Sequence, residues 1–123
     1  MEKVLIVEDE VLVGMALAAS VRDAGHDACG PFAACEPALR AIEAGQVSGA
    51  ILDVNLGPRG TSYPVARELA RRHIPFVFLS AYPRASLDRA FDDVPLFQKP
   101  LADTRLRDII EAFGRDAPPT GHD

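Results

Sequence analysis

The stretch VLIVEDE, residues 4–10, decides the fold class, because four apolar residues run directly into three carboxylates. The apolar residues have the continuous character of a strand that is buried on both faces of a sheet. Glu8, Asp9 and Glu10 then place like charges at the end of that strand, where they repel one another unless something offsets them. The rest of the chain must therefore supply a partner for these acids.

Four further apolar runs follow, at residues 27–32, 49–53, 76–79 and, more weakly, 95–98. Between the runs, apolar residues recur at helical spacing. Strands that alternate with helices form right-handed βαβ units, and such units build a parallel sheet. The sequence therefore predicts an α/β fold with five strands and five helices.

The predicted helices are marked by their apolar stripes and by their ends. Gly25 and Gly45 are expected to end the first two helices, and Thr61 or Ser62 is expected to cap the third. A short fourth helix, near residues 84–91, has only a weak stripe. The other stripes are Leu12, Met15, Ala16, Ala19 and Val21 in the first helix, Leu39, Ala41 and Ile42 in the second, Val65, Ala66 and Leu69 in the third, and Leu106, Ile109, Ile110 and Phe113 in a fifth that opens at Asp103 or Thr104.

The composition is that of one globular domain. The chain has 123 residues and a net charge of -5, which argues against a nucleic-acid-binding surface. No apolar run has the length of a signal peptide or a membrane span, and Cys29 and Cys35 match no redox or zinc motif, so we interpret them as packing residues. We expect a cytoplasmic protein with one domain over residues 1–115, a flexible tail over 116–123, and neither a nucleic acid nor a membrane as partner.

The polar residues at the strand ends are the candidate site. Strand one ends in Glu8 and Asp9, strand three in Asp53, strand four in Ser80, and Lys99 follows strand five. In parallel α/β sheets, ligands bind beyond the carboxyl ends of the strands, so these groups are expected to share a pocket.

This set of groups suits phosphoryl chemistry on a metal-bound carboxylate. Oxygen ligands without histidine or cysteine favour Mg²⁺ or Mn²⁺ over zinc. A carboxylate beside such a cation can act as a nucleophile toward phosphorus, and a lysine can neutralise the oxygens of the transferring group. Each residue alone has a simpler explanation, such as a helix N-terminus, a turn, a cap or a solvated lysine. The joint placement at four strand ends is what favours a site.

The strand ends, in this order, resemble the receiver domain of two-component response regulators. The resemblance covers residues 2–115. It implies a flavodoxin-like (CheY-like), doubly wound, five-stranded parallel sheet in the order 2-1-3-4-5. Its motifs are Glu8 and Asp9 after the first strand, Asp53 in ILDVNL, Ser80 in FLSAY, and Lys99 with Pro100 in FQKPL.

The resemblance also implies a role for each matched residue. Asp53 would be the phosphoacceptor, and Glu8, Asp9 and Asp53 would hold Mg²⁺ together with the backbone carbonyl of Asn55. The phosphoryl donor would be a phospho-histidine on a sensor histidine kinase or a phosphotransfer protein. The domain would catalyse only its own phosphorylation and dephosphorylation, so it would not be an enzyme in the usual sense.

The remaining matched residues would transmit the signal. Ser80 would donate a hydrogen bond to the phosphoryl group and Lys99 would pair with it, while the bond from Lys99 to Pro100 would be cis. The changed surface, formed by the fourth helix, the fifth strand and the fifth helix, would bind an unknown downstream protein. The protein would be a monomer or a dimer linked to phosphorylation.

Two positions depart from the common receiver pattern. Leu96 lies three residues before Lys99, where receivers carry a switch aromatic. FLSAY instead resembles a stand-alone receiver subgroup with the motif Phe-Ala-Thr-Gly-x-Tyr, in which Phe78 would supply the aromatic and Tyr82 would flank the water path to the phosphoryl group. Members of that subgroup tend to partner histidine kinases of the HWE and related classes. The residues that differ from the motif are Leu79, Ser80 and Ala81.

Two alternatives remain beside this interpretation. One is a receiver-fold interaction module that cannot be phosphorylated. The other is a magnesium-dependent phosphatase with an aspartyl nucleophile, which needs a second aspartate two residues after the first as general acid. Asn55 occupies that position and cannot exchange a proton in this role.

Overall fold

A computed structural model of the protein describes residues 3–114. All neighbouring strands of its single sheet are parallel, and their order is β2-β1-β3-β4-β5. The predicted fold class, strand number and strand order are therefore confirmed, and the predicted tail 116–123 lies outside the described residues. The strands are β1 Lys3–Val7, β2 Asp27–Phe32, β3 Gly49–Asp53, β4 Phe76–Ser80 and β5 Leu96–Gln98.

Four α-helices connect or follow the strands, and the first two are followed by glycines, as predicted. Gly25 and Gly45 have φ values of 90° and 86° just after the first two helices, a conformation that glycine adopts without steric cost. Ser62 occupies the N-cap position of the third helix, but its hydroxyl makes no capping bond; the Tyr63 N–H donates instead to Thr61 Oγ1 at 3.4 Å. The helices are α1 Val11–Asp23, α2 Cys35–Glu43, α3 Tyr63–Arg71 and α4 Asp103–Gly114.

The prediction of a fourth helix near residues 84–91 is wrong. This segment forms two short 3₁₀ turns, Arg84–Ser86 and Arg89–Phe91, and an extended Leu87 separates them. The side chain of Asp88 accepts a hydrogen bond from the Ala90 N–H and starts the second turn. Such local bonds compete with a continuous helix, and the weak apolar stripe provides little packing to oppose them.

The predicted buried face of α1 is also wrong, apart from Val21. Leu12 and Met15 are exposed, and the buried residues of the helix are Gly14, Leu17, Ala18 and Val21. Because α1 is apolar on nearly every side, its sequence does not select one face. Close packing selects it instead, since a Cβ on Gly14 would lie only 2.7 Å from Pro31 Cβ.

The core consists of two apolar layers, one on each face of the sheet. Alternate residues of β1 point to opposite layers, with Leu5 and Val7 in one and Val4 and Ile6 in the other. Cys29 and Cys35 are free thiols that pack partly buried against the first layer. The helices of residues 3–114 are all too short or too polar to cross a bilayer. The two apolar layers cover the faces of the sheet, and the polar residues lie at the carboxyl ends of the strands.

Candidate functional site

Parallel strands bring the predicted polar residues to one edge of the sheet. Asp53 is the last residue of β3 and Ser80 the last of β4, whereas Glu8 follows β1 and Lys99 follows β5 directly. Strand register tightens this arrangement, since Asp53 is paired with the residue before Ser80, and the Lys99 N–H donates to the carbonyl of Ser80 at 2.9 Å. The apolar strands thus hold the site through backbone hydrogen bonds.

Three carboxylates form a cluster that suits a hard cation. Glu8, Asp9 and Asp53 each offer an oxygen within 4.8 Å of the others. Glu8 and Asp53 are buried at 2 % and 6 % exposure, and Glu8 Oε1, which contacts the Lys99 ammonium at 2.8 Å, keeps a further lone pair as an acceptor. A buried carboxylate oxygen with unused acceptor capacity, beside two further carboxylates, fits the oxygen ligand set of Mg²⁺ or Mn²⁺.

Lys99 provides the positive charge that faces these acids. Its Nζ donates to Asp53 Oδ2 at 3.0 Å and forms an ion pair with Glu8 Oε1 at 2.8 Å. Glu10 Oε1 lies farther out, at 3.7 Å. The peptide bond from Lys99 to Pro100 is cis. One ammonium therefore contacts three carboxylates, two of them buried.

Protonation in this cluster is shifted by burial and by like charge. Burial, together with the neighbouring Glu8 carboxylate, raises the pKa of Asp53 to about 7, and Lys99 opposes that shift only in part. Burial lowers the pKa of Lys99, but its contacts with Glu8 and Asp53 outweigh this and bring the pKa above its usual value. The folded protein thus destabilises the ionised form of Asp53, and an added positive charge would stabilise that form.

The loop after β3 folds back toward the acids. Asn55 bridges to Thr61, and Gly57 has a φ of 61°, where a Cβ would lie 3.1 Å from Asp9 Oδ2. Asn55 lines the same cavity of about 200 Å³ as Asp9 and Asp53. The structure therefore brings Asn55 to the cavity.

The predicted switch residues lie on β4, on β5 and in the loop between these strands. Ser80 Oγ is buried and accepts a hydrogen bond from the Tyr82 N–H at 2.9 Å. Tyr82 is exposed and lines the cavity. Phe78 is fully buried and is paired in register with Leu96, also buried. Phe97 belongs to the opposite apolar layer.

An aromatic contact network surrounds Phe78. Its ring meets Phe76, Phe91 and Tyr63 edge-on, with centroids 5.6, 5.4 and 6.1 Å apart. Tyr63 also stacks on Phe91 at 5.0 Å, and its hydroxyl accepts a hydrogen bond from the Asp88 N–H at 3.0 Å. The strand that ends in Ser80 is thus packed against the 3₁₀ segment through aromatic rings.

Sequence reasoning assigned no role to Glu10, Gly57 or Tyr63. Glu10 was visible only as a third acid in VLIVEDE, and nothing in the pattern shows that it reaches Lys99. Gly57 could have been singled out as a glycine in a loop beside the acids. Tyr63 precedes a proline at a helix start, and its contact with the distant Phe91 depends on tertiary packing.

Comparison with known proteins agrees with this geometry. No family model matches the chain. The solution structure of SdrG from Sphingomonas melonis Fr1 is 37 % identical in sequence and superposes with a TM-score of 0.79, over 92 % of this chain and 96 % of that one. The receiver domain of the PhyR response regulator from Erythrobacter litoralis is 27 % identical, with a TM-score of 0.78 over 98 % and 95 % of the two chains.

A curated relative is also named as a regulatory protein. The transcriptional regulatory protein PdtaR of Mycobacterium tuberculosis (strain ATCC 25618 / H37Rv) is 35 % identical over 92 residues, which are 73 % of this chain and 44 % of that protein. This chain therefore matches less than half the length of that relative. The resemblance of the sequence to the stand-alone receiver subgroup agrees with these relatives. The fold, the acidic edge and the relatives agree, and the chain belongs to the response-regulator receiver family of two-component signalling.

Proposed function

We propose that this protein is a phosphorylation-operated signalling domain in which Asp53 accepts a phosphoryl group from a phospho-histidine. The observation that carries the proposal is the contact of buried Asp53 with Lys99 at 3.0 Å inside a cluster of three carboxylates. A buried acid with one ammonium and two further acids is poorly balanced for stability alone. It is well arranged for a reaction that adds negative oxygens beside a cation.

The reaction is a substitution at phosphorus. An Asp53 carboxylate oxygen forms the new bond to phosphorus, and the phosphorus–nitrogen bond of the phospho-histidine breaks, so that the imidazole leaves with the electron pair and takes up a proton. Lys99 neutralises charge on the transferred oxygens, and the Ser80 hydroxyl donates a hydrogen bond to one of them. Glu8, Asp9, Asp53 and the Asn55 carbonyl would hold Mg²⁺ or Mn²⁺, which supplies positive charge to the phosphoryl oxygens when bound.

Output from the site passes through Ser80 and the segment that follows it. Ser80 Oγ accepts a hydrogen bond from the Tyr82 N–H, so that the start of the loop moves when Ser80 turns toward the phosphoryl group. The ring contacts of Phe78 with Tyr63 and Phe91 connect β4 to the start of α3 and to the second 3₁₀ turn, in place of the ring that Leu96 lacks. The surface of the two 3₁₀ turns, β5 and α4 would then change its affinity for a downstream protein.

Tyr82 is proposed to set the lifetime of the phosphorylated state. Its exposed ring lines the cavity with Asp53, where it narrows the path for the water that hydrolyses the acyl phosphate. Replacing Tyr82 with alanine should speed dephosphorylation, and an unchanged rate would reject this role.

The surroundings of the cavity favour a protein as donor. Within residues 3–114, the exposed large apolar side chains are Val11, Leu12, Met15 and Tyr82. Val11 and Leu12 start α1 directly after Glu10, which lines the cavity, as Tyr82 also does. Apolar side chains grouped around a site indicate a docking surface. The donor is a sensor histidine kinase, including the HWE class, or a phosphotransfer protein.

The free thiols of Cys29 and Cys35 agree with a cytoplasmic location.

The test is phosphorylation in vitro. The protein is incubated with Mg²⁺ and acetyl phosphate, and then with a panel of purified, autophosphorylated histidine kinases, with Asp53→Ala as the control. One phosphoryl group that is labile to base should appear on the unaltered chain and not on the variant. Absence of label from every donor would support an inert interaction module, and steady turnover of a phosphomonoester would support a phosphatase.

A further inference from the structure

Glu10 lies at the mouth of the cavity that contains Asp53 and has no part in the proposed reaction. Its side chain is 66 % exposed, and its Oε1 is 3.7 Å from Lys99 Nζ. It lines the cavity together with Asp53 and Lys99. Glu10 therefore adds an outer carboxylate to the two buried ones that already contact this ammonium.

The charge of Glu10 is not needed by the local backbone. Glu10 precedes the first turn of α1, yet its side chain makes no capping hydrogen bond. Its backbone N–H donates to Glu8 Oε2 at 3.1 Å, and that bond does not involve the Glu10 side chain. A Glu10→Gln substitution can therefore remove the charge and leave the contact with Glu8 unchanged.

The charge of Glu10 makes the formal charge of the cavity negative rather than neutral. In their ionised forms, the clustered Glu8, Asp9 and Asp53 contribute three negative charges, which Lys99 and one bound divalent cation would balance. Glu10 changes that balance to a net charge of minus one. Because Lys99 Nζ lies 3.7 Å from Glu10 and 3.0 Å from Asp53, the two carboxylates are less than about 7 Å apart, a distance at which water screens unit charges only in part.

We propose that Glu10 determines the class of phosphodonor that Asp53 accepts. It disfavours small, free dianions such as acyl phosphates. A donor protein that places a cationic or hydrogen-bonding side chain over Glu10 removes the repulsion as it docks. This inference rests on the proposed function, and it adds to it a specificity-determining residue that does not touch the reacting atoms.

The small donors give balanced reactions. With acetyl phosphate, the new bond joins Asp53 to phosphorus, and the bond from phosphorus to the acetyl oxygen breaks, so acetate leaves with the electron pair. With phosphoramidate, the phosphorus–nitrogen bond breaks and ammonia leaves after taking up a proton. Neither reaction oxidises or reduces any group. At neutral pH acetyl phosphate is a dianion and phosphoramidate a monoanion, so the pair tests the effect of donor charge on one acceptor.

The experiment compares the second-order rate constants for phosphorylation of the full chain at saturating Mg²⁺ and low ionic strength. Glu10→Gln should react with acetyl phosphate roughly three to seven times faster than the unaltered chain, and Glu10→Lys faster still. The gain with phosphoramidate should be about two- to threefold, because that donor carries half the charge. The matched control is Glu43→Gln, which removes one exposed charge at the end of α2 and should change neither rate.

Ionic strength separates an electrostatic role from a structural one. Added NaCl should speed the reaction of the unaltered chain with acetyl phosphate and leave that of Glu10→Gln nearly constant, because salt screens the repulsion. Equal rates for both proteins, or equal gains with both small donors, would overturn the assignment of Glu10 while leaving Asp53 as acceptor. No phosphorylation of any variant by either donor would overturn the proposed function and this inference with it.

Discussion

Two clusters of three charges show opposite behaviour in this protein. The pocket cluster is Glu8, Asp53 and Lys99, two acids around one cation at the edge of the sheet. The helix cluster is Glu68, Arg71 and Arg72, one acid and two cations at the C-terminal end of α3, with both ion pairs at 2.6 Å. Their charge ratios are reversed, and so is their burial.

The pKa values record this difference. Hydrogen bonds from Arg71 and then Arg72 hold the pKa of Glu68 at about 2, so the helix cluster favours its own charges. Burial and then Glu8 raise the pKa of Asp53 to about 7, so the pocket cluster opposes one of its charges. In the pocket cluster, but not in the helix cluster, the ionised acid is destabilised. Binding of a cation or transfer of a phosphoryl group can therefore relieve an unfavourable interaction there. Close ion pairs alone therefore do not identify a site, whereas a buried excess of one sign does.

The largest expected effect comes from removing the cation of the pocket cluster. Lys99→Met should lower the free energy of unfolding by about 3 kcal/mol at pH 8 without divalent ions, because it leaves buried carboxylates unpaired. Urea unfolding in EDTA measures the loss. The control is Lys3→Met, at the other lysine of the chain, whose ammonium donates a hydrogen bond to Gln46 Oε1 at 3.4 Å. Equal losses in the two variants would show that the pocket cluster is solvated like a surface pair.

A smaller effect of opposite sign is expected when one acid of the pocket cluster is neutralised. Asp53→Asn should raise the free energy of unfolding by about 2 kcal/mol at pH 8 without divalent ions. The pKa of Asp53 is raised from 3.8 to about 7 in the folded protein, so the folded state binds more protons than the unfolded state between these values. The stability of the unaltered chain should therefore fall as the pH rises from about 4 to about 7.

The pH dependence distinguishes this effect from a general gain in packing. Asp53→Asn should match the unaltered chain near pH 4 and exceed it progressively up to pH 8 in urea unfolding. If both proteins lose stability equally over that range, the carboxyl of Asp53 is not the group responsible.

Binding of Mg²⁺ should also raise the free energy of unfolding, but by less than the Asp53→Asn substitution. Mg²⁺ at ten times its dissociation constant should stabilise the unaltered chain by about 1.4 kcal/mol through binding to the folded state. Asp9→Asn should reduce this gain, since Asp9 offers one of the three clustered oxygens. Asp23→Asn, an exposed acid at the end of α1, should not. Unfolding curves with MgCl₂ and with NaCl of equal ionic strength measure the difference, and equal curves would reject the ion site.

The sheet edge could be predicted from the sequence because parallel topology leaves little freedom there. Once residues 49–53 and 76–79 are read as neighbouring strands, Asp53 and Ser80 must meet at the same edge. Backbone hydrogen bonds then fix the positions of the Cα atoms, and short side chains add little uncertainty. The placement of Asp53 and Ser80 follows from strand order more than from their own residue types.

Other features depend on packing that no short pattern contains. The buried face of α1 depends on the fit between Gly14 and Pro31, two residues on different elements. The segment 84–91 lacks a strong apolar stripe, so the local hydrogen bond that Asp88 accepts from the Ala90 N–H decides its form. The reach of Glu10 to Lys99 depends on two long side chains, whose rotamers only the folded structure determines.

The smallest expected effect belongs to the helix cluster. Glu68→Gln should shift the urea midpoint of unfolding little, because ion pairs between exposed side chains at i,i+3 and i,i+4 are screened by water. The shift should shrink further in high salt and should leave phosphorylation of Asp53 unchanged. A loss as large as that of Lys99→Met would mean that burial is not what separates the two clusters. A small loss beside the large one would show that position at the sheet edge, rather than short distance between charges, gives Lys99 its importance.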